Sequence, residues 1–103
     1  MKNNPSTAIR HEGWWKRLKK FVRRRDKFQC VVCEAPQRIV GDLIAAHVRP
    51  RRSYPELEKE ANWVVTLCRI CDAKIGDDLE RYLKRHPQIW KRLPKLLLNL
   101  WNN

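Results

Sequence analysis

Cys30-Val-Val-Cys33 and Cys68-Arg-Ile-Cys71 contain every cysteine of the chain, and each pair holds two residues between its thiols. That spacing forms a knuckle whose two sulfurs can reach one ion. Two knuckles supply the four tetrahedral ligands of a closed structural Zn²⁺ site. A redox motif or a disulfide pair is the competing reading. A redox CxxC occurs once and beside a βαβ pattern, and neither condition holds here. Residues 34 to 67 exceed the usual zinc-ribbon gap, so the insert must form structure of its own. With four thiolate ligands the ion has no open position, so it is not expected to take part in a reaction.

A staple of this kind matters because the chain has only 103 residues. A domain of that size buries about two-thirds of its unfolded surface and leans on metals or disulfides. A structural Zn²⁺ site can contribute about 10 kcal/mol to folding. The formal charge is +12, from 23 Lys and Arg against 11 Asp and Glu. Such a surplus suits a polyanion: nucleic acid first, an anionic membrane surface second. No apolar run approaches the length of about 18 residues that a membrane span needs. The N-terminus MKNNPSTAIRHEGWW lacks the apolar stretch of a secretory signal, so a cytoplasmic location with reduced, metal-binding cysteines is expected.

The pattern along the chain predicts an α+β domain. Residues 1–12 read as a flexible arm, 13–86 as the core and 87–103 as a helical tail. From Gly13 a helix is predicted to about Asp26, with Trp14, Leu18, Phe21 and Val22 as its apolar stripe. Lys16, Arg17, Lys19, Lys20, Arg23 and Arg24 make its other face cationic. "EAPQR" is a turn, and "RIVGDLIAAHV" a strand or hairpin through Gly41-Asp42. "RPRRSYPELEKEA" is a charged loop with room for one helical turn, and "NWVVTLC" a buried strand. After Cys71 a helical period runs through Ile75, Leu79, Tyr82 and Leu83 and stops before His86-Pro87. Gly76 is its weak point, costing about 1 kcal/mol against Ala. The tail carries Pro94 in the first turn of a last short helix, and docking onto the core is its default role.

Three stretches taken together resemble one family. They are Arg25-Asp26 followed by Cys30 and Cys33; Ala46-His47-Val48 with Pro50; and Asn62-Trp63-Val64 leading to Leu67, Cys68, Cys71 and Asp72. In order and spacing this resembles the HNH endonucleases with a four-cysteine zinc site. "WWKRLKKFVRRRD" is similar to the helix that precedes the first CxxC in small phage-type members. The resemblance covers roughly residues 13 to 76 and implies a ββα unit around one catalytic divalent ion, acting on DNA. It would make His47 the general base and Asn62 the residue that ties the loop orienting it. Asp72 would be a ligand to Mg²⁺ or a similar ion, where the family usually has His or Asn. Ala46 stands where the family usually has Asp or His as a second ligand, which implies weak ion affinity, a rearranged site or lost cleavage.

The chemistry is sensible on its own terms. A neutral imidazole takes a proton from water near neutral pH, and a carboxylate is a hard-oxygen ligand. Arg49, Arg51 and Arg52 are expected to clamp phosphate, because guanidinium forks match its oxygens; Lys74 is a weaker candidate. The cationic helix is expected to hold the nucleic-acid backbone without reading sequence. Plainer readings stand beside these: a structural histidine at a strand end, an Asp72 that only caps a helix, and a solvated arginine loop. The five tryptophans are expected in the core rather than as base-stacking platforms. At the level of the whole chain, the alternatives to a nuclease are a catalytically degenerate zinc-stabilised DNA-binding module and a zinc-knuckle RNA-binding or adaptor protein, as monomer or homodimer.

Overall fold

The structure is a computed structural model and describes residues 13–39 and 41–101; the proposed arm at 1–12 lies outside them. Its elements, in chain order, are α1 (Gly13–Arg25), β1 (Leu43–His47), β2 (Val64–Cys68), α2 (Arg69–Ile75), α3 (Leu79–Lys84) and α4 (Lys95–Trp101). Short 3₁₀ turns occupy Pro55–Leu57, Ala61–Trp63, Gly76–Asp78 and Pro87–Arg92. The domain is therefore α+β, with two antiparallel strands and four α-helices among the described residues. Leu43 pairs with Cys68 and His47 with Val64, so the sheet's register sets the candidate base opposite the start of β2.

Helix α1 forms as its periodicity predicts but turns a different face inward. Trp15 and Val22 are its buried residues, whereas Phe21 is 56% exposed and Trp14 only half-buried. Adjacent tryptophans let the pattern be read in two phases about 100° apart, and contacts distant in sequence select the Trp15 phase. The next inward positions carry Arg25, whose guanidinium donates to the carbonyls of Ala61 at 2.8 Å and Val64 at 2.6 Å. Arg25 also pairs with Asp26 at 2.9 Å, and the other oxygen of that carboxylate accepts the Thr66 N–H at 2.9 Å. The Arg25-Asp26 dipeptide thus fastens the helix end to β2. Beyond it Lys27 and Phe28 are both left-handed, at φ +60° and +56°. The Phe28 N–H reaches Arg23 O and the Lys27 N–H reaches Arg24 O, the bonding pattern of a helix end that usually carries glycine.

The sheet lies between two layers. On one side α1 covers His47 and Thr66; the Thr66 hydroxyl donates to Val22 O at 3.5 Å. Val65 and Leu67 belong instead to the main core with Leu79, Leu83, Ile89, Leu93 and Leu97. Burying each such side chain stabilises the fold by about 1.5–3 kcal/mol. Three of those residues come from the 87–101 segment, so the tail docks as expected and shares one core with the rest.

Two boundaries differ from the sequence reading. The helix at the second knuckle starts at Arg69, before Cys71, with Cys68 as its N-cap. It stops at Gly76, whose φ of +64° and ψ of −138° suit glycine almost alone. The single helix expected through Leu83 is thus two, α2 and α3, with a 3₁₀ turn between them. Pro94 directly precedes α4. Among the described residues no helix is long and apolar enough to cross a membrane.

Candidate metal centre and adjoining cleft

The four cysteines meet. Their sulfurs all lie within 4.8 Å of one another, and none is disulfide-bonded. The first knuckle is shaped by Cys30 N–H donating to Ala35 O at 2.9 Å and Glu34 N–H donating to Cys30 O at 2.8 Å. Glu34 turns through a left-handed φ of +65°. Val31 N–H donates to Thr66 O at 2.9 Å, which aligns this knuckle with β2. The second knuckle is the β2–α2 junction, where the Cys71 N–H points at Cys68 Sγ at 3.4 Å. Cys33 and Cys68 bring their sulfurs to 3.7 Å. Burial pushes the Cys33 and Cys71 thiols up, and the neighbouring sulfurs add to it. Burial acts the same way on Cys68, but the hydrogen bonds it accepts outweigh that and bring it down. Four sulfurs this close, two of them buried, can hold a metal ion such as zinc. Among the described residues they are the one group of three or more His, Cys, Asp or Glu side chains gathered closely enough to do so.

Beside the centre, along β1, lies a cleft of about 480 Å³ whose lining includes Ala46, His47, Arg51, Arg52, Asp72 and Asp77. Strand β1 brings His47 to it, and α2 brings Asp72. His47 Nε2 lies 3.0 Å from the carbonyl oxygen of Glu58. A carbonyl only accepts, so Nε2 carries a hydrogen and Nδ1 is the basic nitrogen of the neutral ring. The imidazole stacks on Trp15, with centroids 5.5 Å apart and planes 7° from parallel. Asp72 sits in the first turn of α2, near the positive end of its dipole as its plainer reading expects, but the N-cap itself is Cys68. Ala46 pairs with Val65 and offers no ligand atom. Asp42 does not replace it: its carboxylate accepts the N–H groups of Arg38 and Ile39 in the turn before β1. Asp77 escaped the sequence reading. Its signal was Gly76, the helix breaker that swings the following turn toward the cleft.

The other predicted site residues divide. Arg51 and Arg52 line the cleft; Arg51 pairs with the Glu58 carboxylate at 3.1 Å, and exposed Arg52 lies 4.0 Å from Asp77. Arg49 does not join them. Its Nε donates to both oxygens of Glu80 at 3.0 and 3.1 Å, and its guanidinium lies over the Trp63 and Tyr54 rings. The phosphate-clamp expectation for Arg49 is corrected: its Nε and its flat faces are committed inside the fold, and it does not line the cleft. Lys74 is exposed in the last turn of α2, not near its N-terminus. On α1, Lys16, Arg17, Lys20 and Arg24 are exposed, while Lys19 and Arg23 are half-buried; the Lys19 ammonium sits 5.7 Å from the Trp15 ring centre. Asn62 lies on the Ala61–Trp63 turn and lines a different cavity from His47. Of the tryptophans, Trp15 and Trp63 are buried, and Trp90 and Trp101 pack on the core.

In comparisons with known proteins, no family model matches this chain, and neither a curated protein nor a solved structure matches it.

Proposed function

We propose that this protein is a zinc-stabilised, metal-dependent DNA endonuclease of the HNH type that hydrolyses phosphodiester bonds. The observation that supports this reading is that His47 and Asp72 line one cleft, carried by a strand–strand–helix unit beside four clustered cysteines. Zinc in the cysteine centre would hold the unit together. His47, with its Nε2 hydrogen given to Glu58 O, would take the proton of an attacking water on Nδ1. Arg51 and Arg52 would hold the oxygens of the phosphate, and the exposed cations of α1 the neighbouring backbone. Asp72 would hold a Mg²⁺-type ion, with water and the phosphate completing its shell, and such an ion supplies stabilisation of the charge that develops on the leaving oxygen.

A second reading has one observation in its favour. Ala46 contributes no ligand, and the cleft holds no ready-made group of three ligating side chains among the described residues. A DNA-binding module that has lost its chemistry would look the same. One assay separates the two: supercoiled plasmid is incubated with the zinc-loaded chain and Mg²⁺, Mn²⁺ or Ni²⁺, beside His47→Ala. Metal-dependent nicking that disappears in the variant supports the enzyme. Binding without nicking under every metal supports the module.

A further inference from the structure

A second cavity lies away from the cleft at His47. It measures about 550 Å³ and opens between the end of α1, the first cysteine knuckle and the start of α4. Five cations and two carboxylates line it. Both carboxylates are already countered: Asp26 by Arg25, and Glu34 by Arg92 at 3.4 Å. Those two arginines are further committed to carbonyls, Arg25 to Ala61 and Val64, and Arg92 to Val31 and Val32. Lys27, Lys91 and Lys95 remain, and none of them is ion-paired among the described residues. The floor between them is apolar, from Val31, Leu93, Pro94 and Leu96. Gln29, Cys30 and Asn62 complete the lining, and the Asn62 carboxamide makes no hydrogen bond among the described residues.

We infer that this cavity binds a nucleotide unit of single-stranded nucleic acid. Each part of the lining answers one part of such a ligand. Three unengaged ammonium groups suit successive phosphates, and the apolar floor accepts the flat face of a base or its sugar. The Asn62 carboxamide offers one donor side and one acceptor side to a base edge. The volume falls in the range of small-ligand sites, about 300–1,000 Å³. A base locked in a duplex cannot enter a cavity, whereas an unpaired base can. This inference rests on the nucleic-acid part of the preceding reading and not on its chemistry, so a chain that fails to cleave can still bind here.

The test is an NMR titration of the zinc-loaded full chain with a short single-stranded oligodeoxythymidylate, in parallel with affinity measurements at several salt concentrations. Amide resonances of Lys27, Asn62 and Leu96 are expected to move, whereas those of Ala46, His47 and Arg52 report on the cleft. Lys91→Ala with Lys95→Ala should weaken binding about tenfold and flatten the slope of log affinity against log salt by about 0.7 for each lysine. Lys27→Gly should weaken binding too, while leaving the thermal midpoint equal or higher, because glycine relieves the left-handed turn. Shifts confined to the cleft, or an unchanged affinity and slope in the double variant, overturn the assignment. So does equal displacement of the oligonucleotide by polyglutamate of matched charge, which would show a site indifferent to bases.

Discussion

The indole of Trp15 and the imidazole of His47 lie face to face, 5.5 Å apart at their centroids and 7° from parallel. The Lys19 ammonium rests against the same indole, so the cationic helix and the candidate base share one aromatic wall. Glu58 fixes the ring from a second direction, through its carbonyl. An imidazole held by a stack and a hydrogen bond has little freedom to turn, which is what a positioned base requires.

Trp15→Phe therefore separates orientation from folding. A smaller ring still fills the inward face of α1 but covers less of the imidazole, and plasmid nicking should fall by about tenfold to a hundredfold. Thermal unfolding should move little by comparison. Trp15→Ala should instead lose about 3–5 kcal/mol of stability, through the cavity it leaves. Nicking rates and melting curves of the two variants, measured side by side, check both statements.

The cysteine centre predicts one zinc per chain by metal analysis. Removing the metal with a strong chelator, or changing any one of the four cysteines to serine, should unfold the domain, since such a centre contributes about 10 kcal/mol. The thiols of Cys33 and Cys71 are raised above the ordinary range, so metal must displace protons from them. Zinc affinity should accordingly rise with pH, with proton release visible by calorimetry in buffers of different ionisation enthalpy. A pH-independent affinity would contradict this.

Arg49 and Arg52 should behave differently although only three positions separate them. Arg49→Ala removes the two Nε bonds to Glu80, leaving it Trp101 and Lys84, and should lower stability by about 2 kcal/mol, with little change in the salt dependence of DNA binding. Arg52→Ala should leave stability unchanged and weaken DNA binding, reducing the salt slope by about 1. The carboxyl of Glu80 adds a pH signature. Burial raises it, but the donors on Arg49 and Trp101 outweigh burial and hold it below the ordinary glutamate range. The unfolded state then binds the proton more readily. The contribution of Glu80 is complete above about pH 4.3 and is lost as pH falls through the lower folded value. Glu80→Gln should be less stable than the parent at neutral pH, with the difference shrinking in acid; denaturant unfolding at the two pH values checks it.

Gly76→Ala tests the break between α2 and α3. Beyond Gly76 and its two chain neighbours, no atom of the described residues lies within 4 Å of the position an added Cβ would take, so any loss is conformational. At φ +64° and ψ −138° it should amount to about 1–3 kcal/mol, read from chemical denaturation. Cleavage should fall as well if the turn is needed to keep Asp72 and Asp77 on one side of the cleft.

Much of this was legible in local spacing. Two CxxC pairs announced the cluster, β-branched runs the strands, and Gly76 the weak point of the helix. What escaped depends on partners distant in sequence. Which of Trp14 and Trp15 faces inward is undecided by a period of 3.6 alone; His47 and the Arg25 contacts decide it. That Arg49 serves Glu80 rather than a phosphate is a pairing across 31 positions, invisible to any window. Asn62 was read by its place in a motif, but the Ala61–Trp63 turn directs it to the far cavity. The Arg25-Asp26 pair stands in the sequence only as part of a pattern, and its physical task is to anchor a helix to a strand.

That anchor has one more effect. A sheet of two strands normally offers two raw edges to other polypeptides. On the outer side of β2, Val64 N–H goes to Ala61 O, Val64 O to Arg25, Thr66 N–H to Asp26 and Thr66 O to Val31 N–H. Recruitment of a foreign strand is therefore blocked on that flank. Among the described residues, the flank left for an extended peptide is β1, and residues 44–47 of that strand also line the cleft.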